Sequence, residues 1–112
     1  MVTSVGADLS IESGADLLRV LADPLRLHIV RLLAAEALCT CHLVEETGAR
    51  QTNVSNHLRV LRQAGLVETE PCGRFTYYRL RPETLGALGQ HLDDLAEAAQ
   101  ATASNDRRRP CP

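Results

Sequence analysis

Cys39 and Cys41 stand one residue apart at the predicted start of a short helix, and they are the first residues of this chain with evident chemistry. N–H groups at a helix N-terminus stabilise negative charge, so thiolate is favoured there. Two thiolates held close together select soft or borderline ions: arsenite, antimonite, cadmium, lead, copper(I) or zinc. Positions i and i+2 do not share a face of a regular helix. Joint chelation therefore requires the first turn to be unwound, or to unwind on binding. Packing as small half-buried residues is the plainer role for the pair, but two cysteines at a helix start are an odd choice for packing alone. Reversible oxidation of the two thiols is a further alternative.

The second chemical segment is Gln51-Thr52-Asn53-Val54-Ser55-Asn56-His57-Leu58-Arg59. It sets amides, hydroxyls and an imidazole opposite a stripe of Val54, Leu58 and Leu61. Asn and Gln pair bidentately with adenine, Ser and Thr contact bases or phosphates, and Arg takes guanine or phosphate. Free N–H groups at the helix start also favour phosphate. The segment therefore reads as a major-groove helix with Gln51, Thr52, Asn53, Ser55, Asn56 and His57 as contacts. Arg59 and Arg62 grip the backbone beyond them. His57 has a second possible role, packing or capping within the domain. Any solvated helix face is polar, so the reading depends on what surrounds the helix.

The surrounding elements agree. Leu17, Leu18 and Leu21 recur at helical spacing from Ala15. Asp23-Pro24 reads as an N-cap followed by Pro at the first helical position, opening a helix with Leu25, Ile29, Leu32 and Leu33 on one face. Cys41 to Thr47 is a short helix closed by Gly48. A brief link leads to the polar helix, capped by Gln51 or Thr52 and ended by Gly65. Two helices joined by a short glycine-containing turn make a helix-turn-helix. Leu66–Thr69 and Phe75–Leu80 are strand-like, and 70–74, with Pro71 and Gly73, supplies the turn. Arg74 thus lies at the tip of a β-hairpin wing. Pro82 opens a last helix with Leu85, Leu88, Leu92, Leu95 and Ala99 in a stripe. The predicted fold is mainly α with one hairpin, in the order α-α-α-α-β-β-α. Residues 1–14 are expected as a flexible arm, 15–100 as the folded domain and 101–112 as a disordered tail.

Composition limits the alternatives. The chain has 112 residues, enough for one modest core, with 45% hydrophobic and 3% aromatic residues. All twelve basic residues are Arg, and the formal net charge is -2. Six of them lie between Arg50 and Arg81 against Glu68 and Glu70, a local +4 that leaves -6 elsewhere. A basic centre between acidic flanks suits a site-directed DNA reader better than a polycation. The sequence has no apolar run long enough for a membrane span and no secretory leader, so a cytoplasmic location is expected. Four cysteines there are thiols or ligands rather than a disulfide framework. No nucleophile–base pair beyond an imagined Cys39–His42 dyad, and no phosphate loop, points to an enzyme.

Three runs carry a resemblance: Leu21-Ala22-Asp23-Pro24-Leu25-Arg26, Leu38-Cys39-Thr40-Cys41-His42-Leu43, and Val54-Ser55-Asn56-His57-Leu58-Arg59-Val60-Leu61. With the hairpin Gly73-Arg74-Phe75-Thr76-Tyr77-Tyr78-Arg79-Leu80, they resemble the ArsR/SmtB family of metal-sensing winged helix-turn-helix repressors, over roughly residues 15 to 100. The resemblance implies a homodimer formed by the first and last helices. It implies that the metal-free dimer sits on a palindromic operator and leaves it when inducer binds. In the arsenic-sensing branch a third Cys follows the C-x-C pair, and Val44 occupies that position here. Trivalent arsenic or antimony as inducer then needs an outside thiol or a distant one. Cys111 on the tail is the better candidate, and Cys72 at the wing tip the weaker. Cadmium, lead, zinc or nickel are the alternative inducers. For zinc or nickel, His42 can add a nitrogen, although it is expected to face solvent. Other branches bind metal across the final helices, where this chain offers His91, Asp94 and Glu97 without the accompanying Asp-x-His.

Overall fold

Side-chain caps and left-handed glycines divide the chain into short helices. The computed structural model describes residues 9–112, so most of the arm expected over 1–14 lies outside the described residues. The first helix, α1 (Ile11–Leu21), begins earlier than its leucine spacing indicates. Ser10 Oγ accepts from the Ser13 N–H at 3.1 Å, and Glu12 sits in the first turn, where the helix dipole favours it. Gly14 lacks a side chain to extend the apolar period, yet it is buried, with the His91 ring beside it. In α2 (Pro24–Leu33) the predicted cap is present: Asp23 Oδ1 accepts from Arg26 N–H at 3.0 Å.

A two-residue strand, β1 (Leu38–Cys39), precedes α3 (Thr40–Thr47) and was not expected. Two residues are too few to show a period. Gly48 closes α3 with φ 72°, a conformation that L side chains resist. The polar helix, α4 (Gln51–Gln63), is entered from Arg50 in extended conformation without a side-chain cap, so Gln51 and Thr52 are its first residues rather than its caps.

The wing is β2 (Val67–Cys72) and β3 (Phe75–Leu80), antiparallel, with Cys72 opposite Phe75 across the Gly73-Arg74 turn. The sheet order is β1-β3-β2, so β2 lies at an edge. An edge strand tolerates Pro, and β2 accordingly continues through Pro71 instead of stopping at Thr69. Finally, α5 (Pro82–Asn105) runs five residues beyond the expected end of the domain at Gln100. Its alanine-rich last turns have high helix propensity, and Asp106 ends it with φ 50°.

The core is aliphatic. Ile29 and Leu33 of α2, Leu43 of α3, Val54, Leu58 and Leu61 of α4, and Leu66 and Val67 form one buried cluster with Leu17 and Leu88. It fixes α3 and α4 against α2 and the base of the wing. No helix among the described residues is long and apolar enough to cross a membrane.

Candidate metal site and nucleic-acid interface

Cys39 is both the last residue of β1 and the N-cap of α3, with extended backbone (φ -90°, ψ 170°). Cys41 follows inside the first helical turn. The pair therefore straddles a helix boundary, and the i, i+2 argument for a regular helix does not apply to it. The ligand atoms of Cys39, Cys41 and His42 all lie within 4.8 Å of one another. Of the two expected alternatives the first holds: Cys39 already stands outside the helix, and the sulfurs converge without unwinding on binding. His42 is corrected too. It is half-buried rather than solvent-facing, because its Nδ1 accepts from the Cys39 N–H at 3.2 Å and lies 3.3 Å from Cys39 Sγ. This is the reciprocal N-cap arrangement with imidazole in place of a carboxylate.

The two thiols shift in opposite directions. Burial pushes the Cys39 thiol up, but the Cys41 thiol and the N–H groups of His42 and Cys41 hydrogen-bond its sulfur, and the net shift is downward. Cys41 is raised, chiefly because it donates to Cys39, with burial adding to this. Cys39 is thus the first thiolate and Cys41 its donor. Two sulfurs and one imidazole, with Cys41 exposed to solvent, form a soft, open-sided donor set. Such a set fits a thiophilic ion.

The other sulfurs stand apart. Cys72 is exposed at the wing, Cys111 is exposed beyond α5, and neither joins the cluster among the described residues. Val44 is half-buried against the core. On α5, Asp94 accepts from Gln90 Nε2 at 2.8 Å, and His91 lies against Gly14. Among the described residues His91, Asp94 and Glu97 do not converge as a three-donor group.

On α4, Gln51, Thr52, Asn53, Ser55, Asn56, Arg59 and Arg62 are all exposed, opposite buried Val54, Leu58 and Leu61. His57 differs: it is half-buried, with Nδ1 3.3 Å from an Arg26 guanidinium nitrogen. The same guanidinium donates through Nε to Val20 O at 2.7 Å. His57 thus ties the polar helix to α1 and α2, its second predicted role. Glu70 pairs with Arg79 at 2.9 Å and Glu68 with Arg81 at 3.6 Å. Among the described residues that leaves Arg50, Arg59, Arg62 and Arg74 of this region without an acidic partner. Arg50 was not among the predicted contacts. Its position just before the polar helix was the available signal.

Residues 23–69 match the family described as "Bacterial regulatory protein, arsR family". Over 100 residues the chain is 33% identical to an arsenical resistance operon repressor of Staphylococcus xylosus, covering 89% of this chain and 96% of the relative. The chain belongs to the ArsR family. It is a DNA-binding transcriptional repressor by family and fold, not an enzyme. A solved structure described as a possible transcriptional regulator for arsenical resistance is 36% identical, with a TM-score of 0.66, over 84% of this chain and 98% of that one. A winged helix-turn-helix domain from Mycobacterium bovis, solved as a homodimer, shares the fold at 24% identity and a TM-score of 0.62, over 90% of each chain.

Proposed function

We propose that this ArsR-family repressor is metal(loid)-responsive: metal-free, it holds operator DNA as a homodimer, and arsenite or antimonite bound at Cys39 and Cys41 releases it. The observation that carries the reading is the convergence of the two sulfurs at the N-cap of α3, beside the polar helix. Gln51, Thr52, Asn53, Ser55 and Asn56 read bases, Arg59 and Arg62 hold phosphates, and Arg74 reaches from the wing. His57 serves this interface by holding α4 in place. Exposed Ile11 and Leu18 on α1, with Leu92 and Leu95 on α5, give the homodimer its apolar face. A two-fold dimer sets two reading helices about 34 Å apart and calls for a palindromic operator in the cytoplasm. Trivalent arsenic prefers three sulfurs, and Cys111 is the candidate for the third. His42 within the donor set favours a second reading, in which the inducer is a divalent ion such as cadmium, lead, zinc or nickel.

The test is operator affinity by fluorescence anisotropy with arsenite, cadmium, zinc and nickel under reducing anaerobic conditions. Native protein is compared with Cys39→Ser, Cys41→Ser, His42→Ala and Cys111→Ser. Arsenite is expected to act most strongly and either paired substitution to abolish the response. A normal response in both Cys39→Ser and Cys41→Ser refutes the site. Loss in Cys111→Ser assigns the third sulfur, and loss in His42→Ala with a stronger effect of divalent ions selects the second reading. Release by oxidant alone, without any ion effect, makes the pair a redox sensor.

A further inference from the structure

We infer that Tyr77 is a positioning residue that transmits the state of the Cys39–Cys41–His42 site to the wing. The inference rests on the second reading above, in which His42 joins the two sulfurs as a ligand, and adds the route by which that site acts on DNA binding.

Two contacts join the site to β3. Cys39 is paired with Tyr77 across the β1–β3 ladder, so the main chain of a buried ligand is tied to the wing. The His42 ring also lies against the Tyr77 ring, with centroids 5.9 Å apart and planes at 60°. Tyr77 is three residues from Arg74 at the wing tip, about 10 Å along a strand.

The lone pair on His42 Nδ1 supplies the switch. In this structure it accepts from the Cys39 N–H. A neutral imidazole nitrogen has one lone pair, so Nδ1 cannot accept that bond and ligate an ion together. If the ring turns to present its other nitrogen, its contact with Tyr77 changes instead. Either way, recruiting His42 alters what holds the site to β3: its ring contact with Tyr77, or its bond to the main chain of Cys39, the residue paired with Tyr77. A cleft of about 420 Å3 borders both rings, between Leu32 and Glu36 on one side and Glu45 on the other, and leaves them room to turn. Leu43 and Val54 are both fully buried at the α3–α4 junction, where little movement is available without opening the core. The wing is the softer direction.

The test compares native protein with Tyr77→Val, which keeps a residue of high strand propensity but removes the ring, and Tyr77→Phe, which keeps the ring. Cadmium binding is followed by thiolate-to-metal ultraviolet absorbance, and operator affinity is measured metal-free and cadmium-loaded. Tyr77→Val is expected to bind cadmium and metal-free operator as native protein does. Its cadmium-induced loss of operator affinity is expected to fall below about threefold, from about tenfold or more in the native protein and in Tyr77→Phe. Native-like release by Tyr77→Val overturns the inference. Absence of cadmium binding by the native protein refutes the divalent-ion reading and the inference with it, and leaves the arsenite reading to its own test. If thermal melting shows Tyr77→Val unfolded, Arg74→Ala replaces it. With the wing contact already gone, cadmium is expected to cost that variant a smaller fold-change than it costs the native protein, and an equal fold-change overturns the inference.

Discussion

Between Cys39 and Cys41 one proton is easier to remove than either thiol alone would allow, and the next is harder. Cys39 is stabilised as thiolate by the Cys41 thiol and two N–H groups despite burial, whereas Cys41 is raised because it donates. Ligation requires deprotonated sulfur. At any pH below the raised Cys41 value an incoming ion must displace that proton, so ion affinity rises with pH through neutrality and past the ordinary thiol value of 9.0. The same argument predicts alkylation. Exposed Cys41 is expected to react with iodoacetamide along a pH profile displaced to the alkaline side, and Cys39→Ser is expected to move that profile back toward lower pH. An unchanged profile in the variant contradicts the raising of Cys41 by Cys39. The sulfur pair and the polar face of 51–59 were legible because their residue types carry the chemistry. The roles of His42 and His57 were not. Each ring's direction is fixed by a partner elsewhere, the Cys39 N–H in one case and the Arg26 guanidinium in the other.

At the scale of elements, the short α3 is held at both ends and along one side. Gly48 closes it with positive φ and has open space where a Cβ would stand. Gly48→Ala therefore meets no clash but must adopt a left-handed conformation, which costs about 1–2 kcal/mol. Leu43 anchors the buried side, and Leu43→Ala is expected to cost about 2–5 kcal/mol. Urea denaturation measures both, and a loss for Leu43→Ala below that for Gly48→Ala contradicts the packing described. The helices and wing were legible from apolar spacing, the Asp23-Pro24 cap and the glycines. Strand β1 was not, since it exists only through its ladder with Tyr77 and Tyr78. The start of α1 was obscured by Gly14, which hides a buried position behind a missing side chain.

The whole chain is long for its size. Its radius of gyration is 17.9 Å and its extents are 62 × 34 × 23 Å, against about 13 Å for a compact chain of this length. The longest element is α5, whose 24 residues span about 36 Å. Leu92 and Leu95 remain 45% and 59% exposed there, an arrangement that a second copy relieves. Leu95→Glu is therefore expected to shift sedimentation toward monomer and to weaken operator binding at least tenfold, while the single-chain melt changes little. A dimer that persists in this variant places the interface elsewhere. The apolar stripe of the last helix was legible in the sequence. Its full length was not, because alanine, serine and threonine after Gln100 read equally well as tail or as exposed helix. The ring contact at the sulfur site also gives the molecule an optical signature. The chain has two Tyr and no Trp, and Tyr77 touches His42. One of the two emitters of unlabelled protein thus lies beside the soft donors, and inducer uptake is open to optical titration before any duplex is added.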